Sequence, residues 1–185
     1  MKCTSCKVGV LKPSFIEGQF RAHTCSSCEG SWILIEDYVA WKERNPEYRF
    51  AEAMSFSEDA AVDSKKALMC PVSGTIMRKF RISAGNDHRL DYSTSVGGIW
   101  LDKGEWELLK SEGLAGSLNA VVTQSWQKKV KEETAKENFA EIYRSKFGDE
   151  TYAKVKELRD WLINQEQKAD LRAYLMAEDP YSAEK

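Results

Sequence analysis

The sequence predicts an α+β protein built from two tandem β-hairpin modules, each followed by a short helix, and a long α-helical hairpin toward its C-terminal end. Three observations predict it. Four cysteines near the start fall as two Cys-x2-Cys pairs with eighteen residues between them. Residues 68–113 echo residues 1–43. Neither Pro nor Gly interrupts residues 118–146 or residues 149–176, as two helices require.

The first module, residues 1–43, carries Cys3, Cys6, Cys25 and Cys28. A Cys-x2-Cys pair is a knuckle that offers two thiolates without long-range folding, and two such pairs supply the four soft ligands that tetrahedral zinc takes. Between them, extended flanks around Glu17-Gly18 suit a hairpin turn, which completes the outline of a zinc ribbon. A redox role for the pairs would need a strand–helix frame that neither CTSC nor CSSC shows. His23, beside the second knuckle, is a strand residue outside a ligand set that is already complete.

Residues 44–67 read as a linker, with Pro46, several small residues and the charges of Glu58, Asp59, Asp63, Lys65 and Lys66, and a helical turn near residues 50–54 is compatible with them. The second module, residues 68–113, repeats the first at an offset of 67 through Cys70 and Ser73, and of 68 from Ser93 through Val96, Gly98 and Trp100. Gly85 aligns with Gly18, so one extra residue in the turn accounts for the shift. Ile76, Phe80, Ile82, Leu90 and Tyr92 alternate as hairpin strands do. The metal ligands are gone: Ser73, Ser93 and Val96 stand where Cys6, Cys25 and Cys28 stand in the first module. A metal-free ribbon held by apolar packing follows, and a rebuilt site of Cys70, His88 and Asp91 has no spacing to support it.

These residues carry a family likeness. Cys-Pro-x-Cys, a hairpin, then Cys-x-x-Cys-x-Gly-x-Trp-Leu-Asp and a short helix with an early Glu is the pattern of the transcription-factor zinc-finger family related to the TFIIB zinc ribbon. The chain resembles that family through Cys3, Cys6, Cys25, Cys28, Gly30 and Trp32 in the first module, and through Cys70, Pro71, Gly98, Trp100, Leu101, Asp102 and Glu105 in the second. Leu34 replaces the motif's Asp in the first module, and the second has lost its ligands. The resemblance implies a ribbon fold and a link to transcription, although shared fold alone does not fix function. Asp102 with Glu105 three residues on reads as an N-cap with its capping-box partner, and Gly113 as the helix stop. Trp32 and Trp100 are expected to cover the ribbon core, and Trp41 and Trp106 to pack the short helices back.

In the tail, residues 117–178, Gly148 suits a helix C′ position and Asp149 an N-cap, predicting two antiparallel helices. Val155, Leu158, Leu162, Ala169 and Met176 form an apolar seam, while residues 127–138 are almost wholly polar. The seam is therefore longer than its partner helix can cover. Residues 179–185 read as a tail.

Composition narrows the function classes. With 42% apolar and 30% charged residues the chain is of the globular type. No apolar run approaches the roughly 20 residues that cross a bilayer. No secretory stretch follows Met1, so a cytoplasmic protein with reduced thiols is expected. A net charge of −2, spread as seven basic and six acidic residues in 1–50, eight and ten in 51–116, and twelve and thirteen in 117–185, disfavours a polyanion binder. A closed four-cysteine zinc has no open position for a water, and no nucleophile triad or phosphate loop appears, so no enzyme is expected. The leading expectation is one structural zinc in a protein-interaction or scaffold protein that uses its C-terminal helices to meet another protein or itself. The alternative is a nucleic-acid-binding protein, suggested by Arg78, Lys79, Arg81, His88 and Arg89 near Phe80 and Tyr92.

Overall fold

The computed structural model describes residues 1–51 and 60–179. They form two compact units, Met1–Thr134 and Ala135–Lys185. The α+β class is observed, with one addition: the two hairpins belong to one sheet.

In the first unit, β1 (Leu11–Ile16), β2 (Phe20–Cys25) and β3 (Ser31–Leu34) run into helix α1 (Ile35–Arg44); β4 (Arg78–Arg81), β5 (Arg89–Ser93) and β6 (Gly98–Leu101) run into α2 (Glu105–Ser111). The six strands pair antiparallel in the order β1-β2-β3-β6-β5-β4. Each half thus contributes its third strand to a central seam, where Trp32 stands opposite Trp100 and Ile33 opposite Ile99. The seam explains the repeated Gly-x-Trp. A Cβ on Gly98 would lie 2.0 Å from the Trp32 ring, and one on Gly30 would lie 2.3 Å from Trp100. Each tryptophan therefore lies on the other half's glycine, and both rings are fully buried.

Alternation divides the sheet's two faces. One face presents Phe20, Ile33, Ile82, Leu90 and Ile99 to α1 and α2, and an aromatic cluster seals it: Phe20 lies 5.5 Å from both Trp41 and Trp106. The other face carries Leu11, Trp32, Met77 and Trp100 beneath the cysteine knuckles. The expected packing of Trp41 and Trp106 is what the structure has.

The register corrects the alignment of the halves. Cys3 N–H bonds Gly9 O, whereas Cys70 N–H bonds Thr75 O, so the second knuckle loop is one residue shorter. Ile16 pairs with Phe20 across residues 17–19, whereas Ile82 N–H meets His88 O across residues 83–87, so the second turn is two residues longer. Gly18 has φ +73, while Gly85 is not in the left-handed region, so the two glycines are not equivalent.

The cap at α2 also differs from expectation. Glu105 does reach back to the Asp102 N–H (2.8 Å), but Asp102 caps nothing: its carboxylate accepts from Trp100 Nε1 and from the Ser64 N–H, both at 2.8 Å. Gly104, at φ +87, occupies the N-cap, and Gly113, at φ +68, follows the helix end as expected.

Beyond α2 a 3₁₀ turn, Ala115–Ser117, leads to α3 (Leu118–Val121) and α4 (Gln124–Phe147). The helix expected from residue 118 onward breaks at 122–123, where Thr123 Oγ1 accepts the Trp126 N–H. Leu118 and Val121 enter the sheet's core, so this part of the expected hairpin belongs to the first unit. Tyr38 fastens α1 to the turn through its hydroxyl, which donates to Ala115 O at 2.8 Å. At the outer edge, Gln127 Oε1 accepts the Arg81 N–H and its Nε2 donates to Arg81 O, as a neighbouring strand would. At the opposite edge Pro13 sits in β1.

In the second unit α4 ends at Gly148 (φ +77), and α5 (Asp149–Ile163) follows at once. Gly148 is the expected joint, but it occupies the N-cap itself and Asp149 opens the helix. The second expected helix is two, because residues 164–167 separate α5 from α6 (Lys168–Met176). Within α5 only Leu162 is buried; Val155 and Leu158 are about half exposed. Phe50 and Ala51 are not helical, and the remainder of the turn expected near 50–54 lies outside the described residues, as do residues 180–185 of the tail. No described helix is long and apolar enough to cross a membrane.

Candidate metal centre

Cys3 and Cys6 project from the loop before β1, Cys25 from the last position of β2 and Cys28 from the β2–β3 connection, so the hairpin register brings the knuckles together. The Sγ atoms of Cys3 and Cys28 are 3.6 Å apart and those of Cys6 and Cys25 3.7 Å, with all four within 4.8 Å of one another. A zinc with Zn–S bonds of about 2.3 Å in a tetrahedron sets its sulfurs roughly 3.8 Å apart. The residues fit the ion. Backbone N–H groups of Gly9 and Ser27 donate to Cys6 Sγ (3.3 Å) and Cys25 Sγ (3.4 Å) and so stabilise thiolate charge. Gly9 is obligatory here, since its Cβ would lie 2.3 Å from Cys25 Sγ.

The thiols are not alike. The Gly9 N–H draws Cys6 down to about 6, whereas burial pushes Cys28 up to about 12 and raises Cys3 as well. Without a cation the cluster keeps protons; zinc replaces them. The residue after each knuckle, Lys7 and Glu29, is held at φ +60, a left-handed conformation that side chains rarely adopt.

In the second half the equivalent corner holds no ligand set. Ser73 Oγ lies 2.9 Å from Thr75 Oγ1 and 2.8 Å from Ser95 Oγ, and Ser93 Oγ lies 3.1 Å from Ser95 Oγ. Burial pushes the Cys70 thiol up, but hydrogen bonds from Ser73 and Ser93 outweigh it and leave the thiol below its ordinary value. The corner is tied by hydroxyls as well as by apolar packing. Among the described residues, the four cysteines are the one group of three or more ligand atoms close enough to share a metal. His23 lies in β2 opposite Pro13 and Trp32, away from that group, and Asp91 is taken by Lys79 at 2.8 Å.

Residues 2–44 match the family described as transcription factor zinc-finger, the TFIIB-type zinc ribbon. The cluster is a structural zinc site, and the chain contains a zinc-binding module. No curated protein and no solved structure matches the chain.

A second polar group was not legible from spacing. Asp91 and Glu105, each 1% exposed, lie buried with Asp102 and the half-buried Asp63. Asp63 Oδ1, Asp91 Oδ1 and Glu105 Oε1 are buried without hydrogen-bond partners among the described residues. Burial pushes Asp91 up to about 6, against the pull of Lys79, and holds Glu105 well above the carboxylate range with the negative charge of Asp102 adding to the effect. The one available signal was Asp91 itself, a charge at an inward position of β5.

The basic residues of the second hairpin divide between the two faces, Arg78 on one and Lys79, Arg81 and Arg89 by register on the other. Lys79 pairs with Asp91, and Arg81 donates to Asn86 O and Asp87 at 2.9 Å, both on the knuckle side of the sheet. Arg78, on the opposite side, stacks on Phe80, a buried ring.

Proposed function

We propose that the protein is a non-enzymatic cytoplasmic adaptor: a zinc-stabilised sheet carrying a helical unit that meets another protein. In this reading the second hairpin is a tandem copy of the zinc ribbon that lost its ligands once hydroxyls, apolar packing and the seam could hold it. The observation that carries the proposal is the helical unit's uncovered apolar surface, with Phe139 at 55% and Val155 at 48% exposure and Ile142, Leu158 and Trp161 similarly open. Apolar side chains in that number on neighbouring helices mark an interaction surface. Self-association through the same surface is the second form of this reading. Nucleic-acid binding is the weaker alternative, because Lys79 and Arg81 are committed to intramolecular partners and Phe80 is not available for stacking.

The test is affinity capture with full-length, zinc-loaded protein, paired with sedimentation velocity. A reproducible partner or a dimer should be lost in Leu158→Asp and Trp161→Asp proteins that keep their zinc and circular dichroism. A strict monomer whose captured proteins ignore both substitutions refutes the reading. Micromolar oligonucleotide binding at about 150 mM salt, abolished by Arg78→Glu with Arg89→Glu, would install the alternative.

A further inference from the structure

The second unit contains a cleft of about 740 Å³ between the end of α4 and the start of α5. Its floor is apolar: the rings of Phe139, Tyr143 and Phe147 meet in sequence, tilted, with centroids 4.8 and 5.4 Å apart, and Val155 lines the cleft from α5. Its rim is cationic, with Lys136, Arg144, Lys156 and Arg159 against the single carboxylate of Glu137. That local excess stands out in a chain whose net charge is −2. The Arg144 guanidinium carbon sits over the Tyr152 ring, 5.3 Å from its centre, a cation–π contact that holds the charge at the rim.

From this juxtaposition we infer that the cleft receives an acidic amphipathic helix from another protein, which lies between the end of α4 and the start of α5. The inference rests on the interaction reading above and adds the partner's chemistry. The cleft runs from Ala135 to Phe147 along α4, roughly 20 Å at 1.5 Å per residue, which matches a helix of about 14 residues. Such a helix would set apolar anchors at i, i+3, i+4 and i+7 on the aromatic floor and place Asp or Glu on both flanks beside the four cations. A second copy of this chain is the poorer occupant. Symmetric docking of the cleft on itself would bring the same cations together.

The test is a displayed library of 14-residue amphipathic helices with randomised flanks, selected on full-length, zinc-loaded protein and counter-selected on Val155→Glu protein. Val155 is half exposed, and circular dichroism with zinc content verifies that the variant folds. Enriched peptides should be net negative. A synthesised one should bind at least tenfold more weakly to Arg144→Glu with Lys156→Glu protein, and its Glu→Lys analogue should bind wild type at least tenfold more weakly. Absence of enrichment, enrichment of neutral or basic peptides, or indifference to the charge reversal overturns the inference. So does displacement of the peptide by phosphatidylserine vesicles or a DNA oligonucleotide at lower concentration than an unlabelled peptide needs, which would assign the cleft to a membrane or a nucleic acid. If Leu158→Asp abolishes partner capture while no acidic helix is selected, the partner's chemistry is wrong and the interaction reading survives.

Discussion

In the first half of the sheet the residues that close the knuckles, Lys7 and Glu29, carry side chains at φ +60; in the second half the same corners are Gly74 at φ +70 and Gly97 at φ +63. The left-handed conformation costs a side-chain-bearing residue roughly 1–2 kcal/mol and glycine almost nothing. Structural zinc contributes on the order of 10 kcal/mol or more, so the first half can carry two strained corners. The second half ties its corner with hydroxyl hydrogen bonds worth about 1 kcal/mol each, and such a corner has no reserve for strain. Where the metal is absent, the backbone is relaxed. The comparison teaches that a corner with zinc ligands and one without differ in the backbone as well as in the cysteines.

The largest effect should come from removing the metal. Cys25→Ser with Cys28→Ser should lower zinc content from about one per chain to none, and hydrogen exchange should rise throughout residues 2–30. β4 and β5 should keep their protection, while β6, which pairs with β3 at the seam, loses part of its own. Equal loss of protection across β4 and β5 would mean the halves fold as one unit and would erase the contrast.

Next in size is the seam. Trp100→Ala deletes a fully buried ring seated on Gly30 and should cost about 3–5 kcal/mol, read as the shift of the urea midpoint. Because Trp100 belongs to the second half but rests on the first, exchange should quicken on both sides of β3–β6. An effect confined to residues 68–113 would show that the halves are independent.

The halves should also answer pH in opposite directions. Zinc needs thiolates, so acid strips the metal and the first half gains stability as pH rises. Asp91 is raised from 3.8 to about 6, and burial holds Glu105 well above its ordinary value. Folding therefore retains protons that the unfolded chain has already released above pH 4; this stability is complete below that point and disappears as pH climbs through 6 and beyond. For Asp91 alone the change is on the order of 2–3 kcal/mol. Hydrogen exchange corrected for intrinsic rate, followed from pH 5 to 8, should show protection falling in residues 60–105, and Glu105→Gln should flatten that slope. Parallel slopes in the two halves would count against a protonated carboxyl cluster.

The smallest and sharpest change exchanges the corners. Gly74→Lys and Gly97→Glu should each destabilise by about 1 kcal/mol in urea unfolding, while Lys7→Gly and Glu29→Gly should stabilise the metal-free protein by a similar amount and leave zinc stoichiometry unchanged. A neutral result at Gly74 would mean that the hydroxyl network, and not the backbone, sets that corner.

Local features were legible in the sequence and non-local ones were not. The cysteine pairs, both hairpins and the helix-ending Gly113 and Gly148 declare themselves within a few residues, because ligand spacing, alternation and turn chemistry act at short range. The seam does not: Ser31↔Leu101 joins residues seventy apart, and a third strand that pairs with its counterpart reads the same as one that ends a module. The carboxyl group around Glu105 was hidden for the same reason, since Asp102 resembled an ordinary cap until Trp100 and Ser64 were found on it. The break at Thr123 was visible in principle. A threonine three residues before Trp126 is a capping signal, outweighed in an uninterrupted run of helix formers.

Gln127 and Pro13 have a consequence for how this protein can be recruited. An outer strand ordinarily offers a row of free donors and acceptors to any extended peptide that lies alongside. Here the side-chain amide of Gln127 fills the slot beside Arg81, and Pro13 at the far border has no N–H to offer. Among the described residues, the two outer strands offer a visiting strand no unbroken row of partners at these two places.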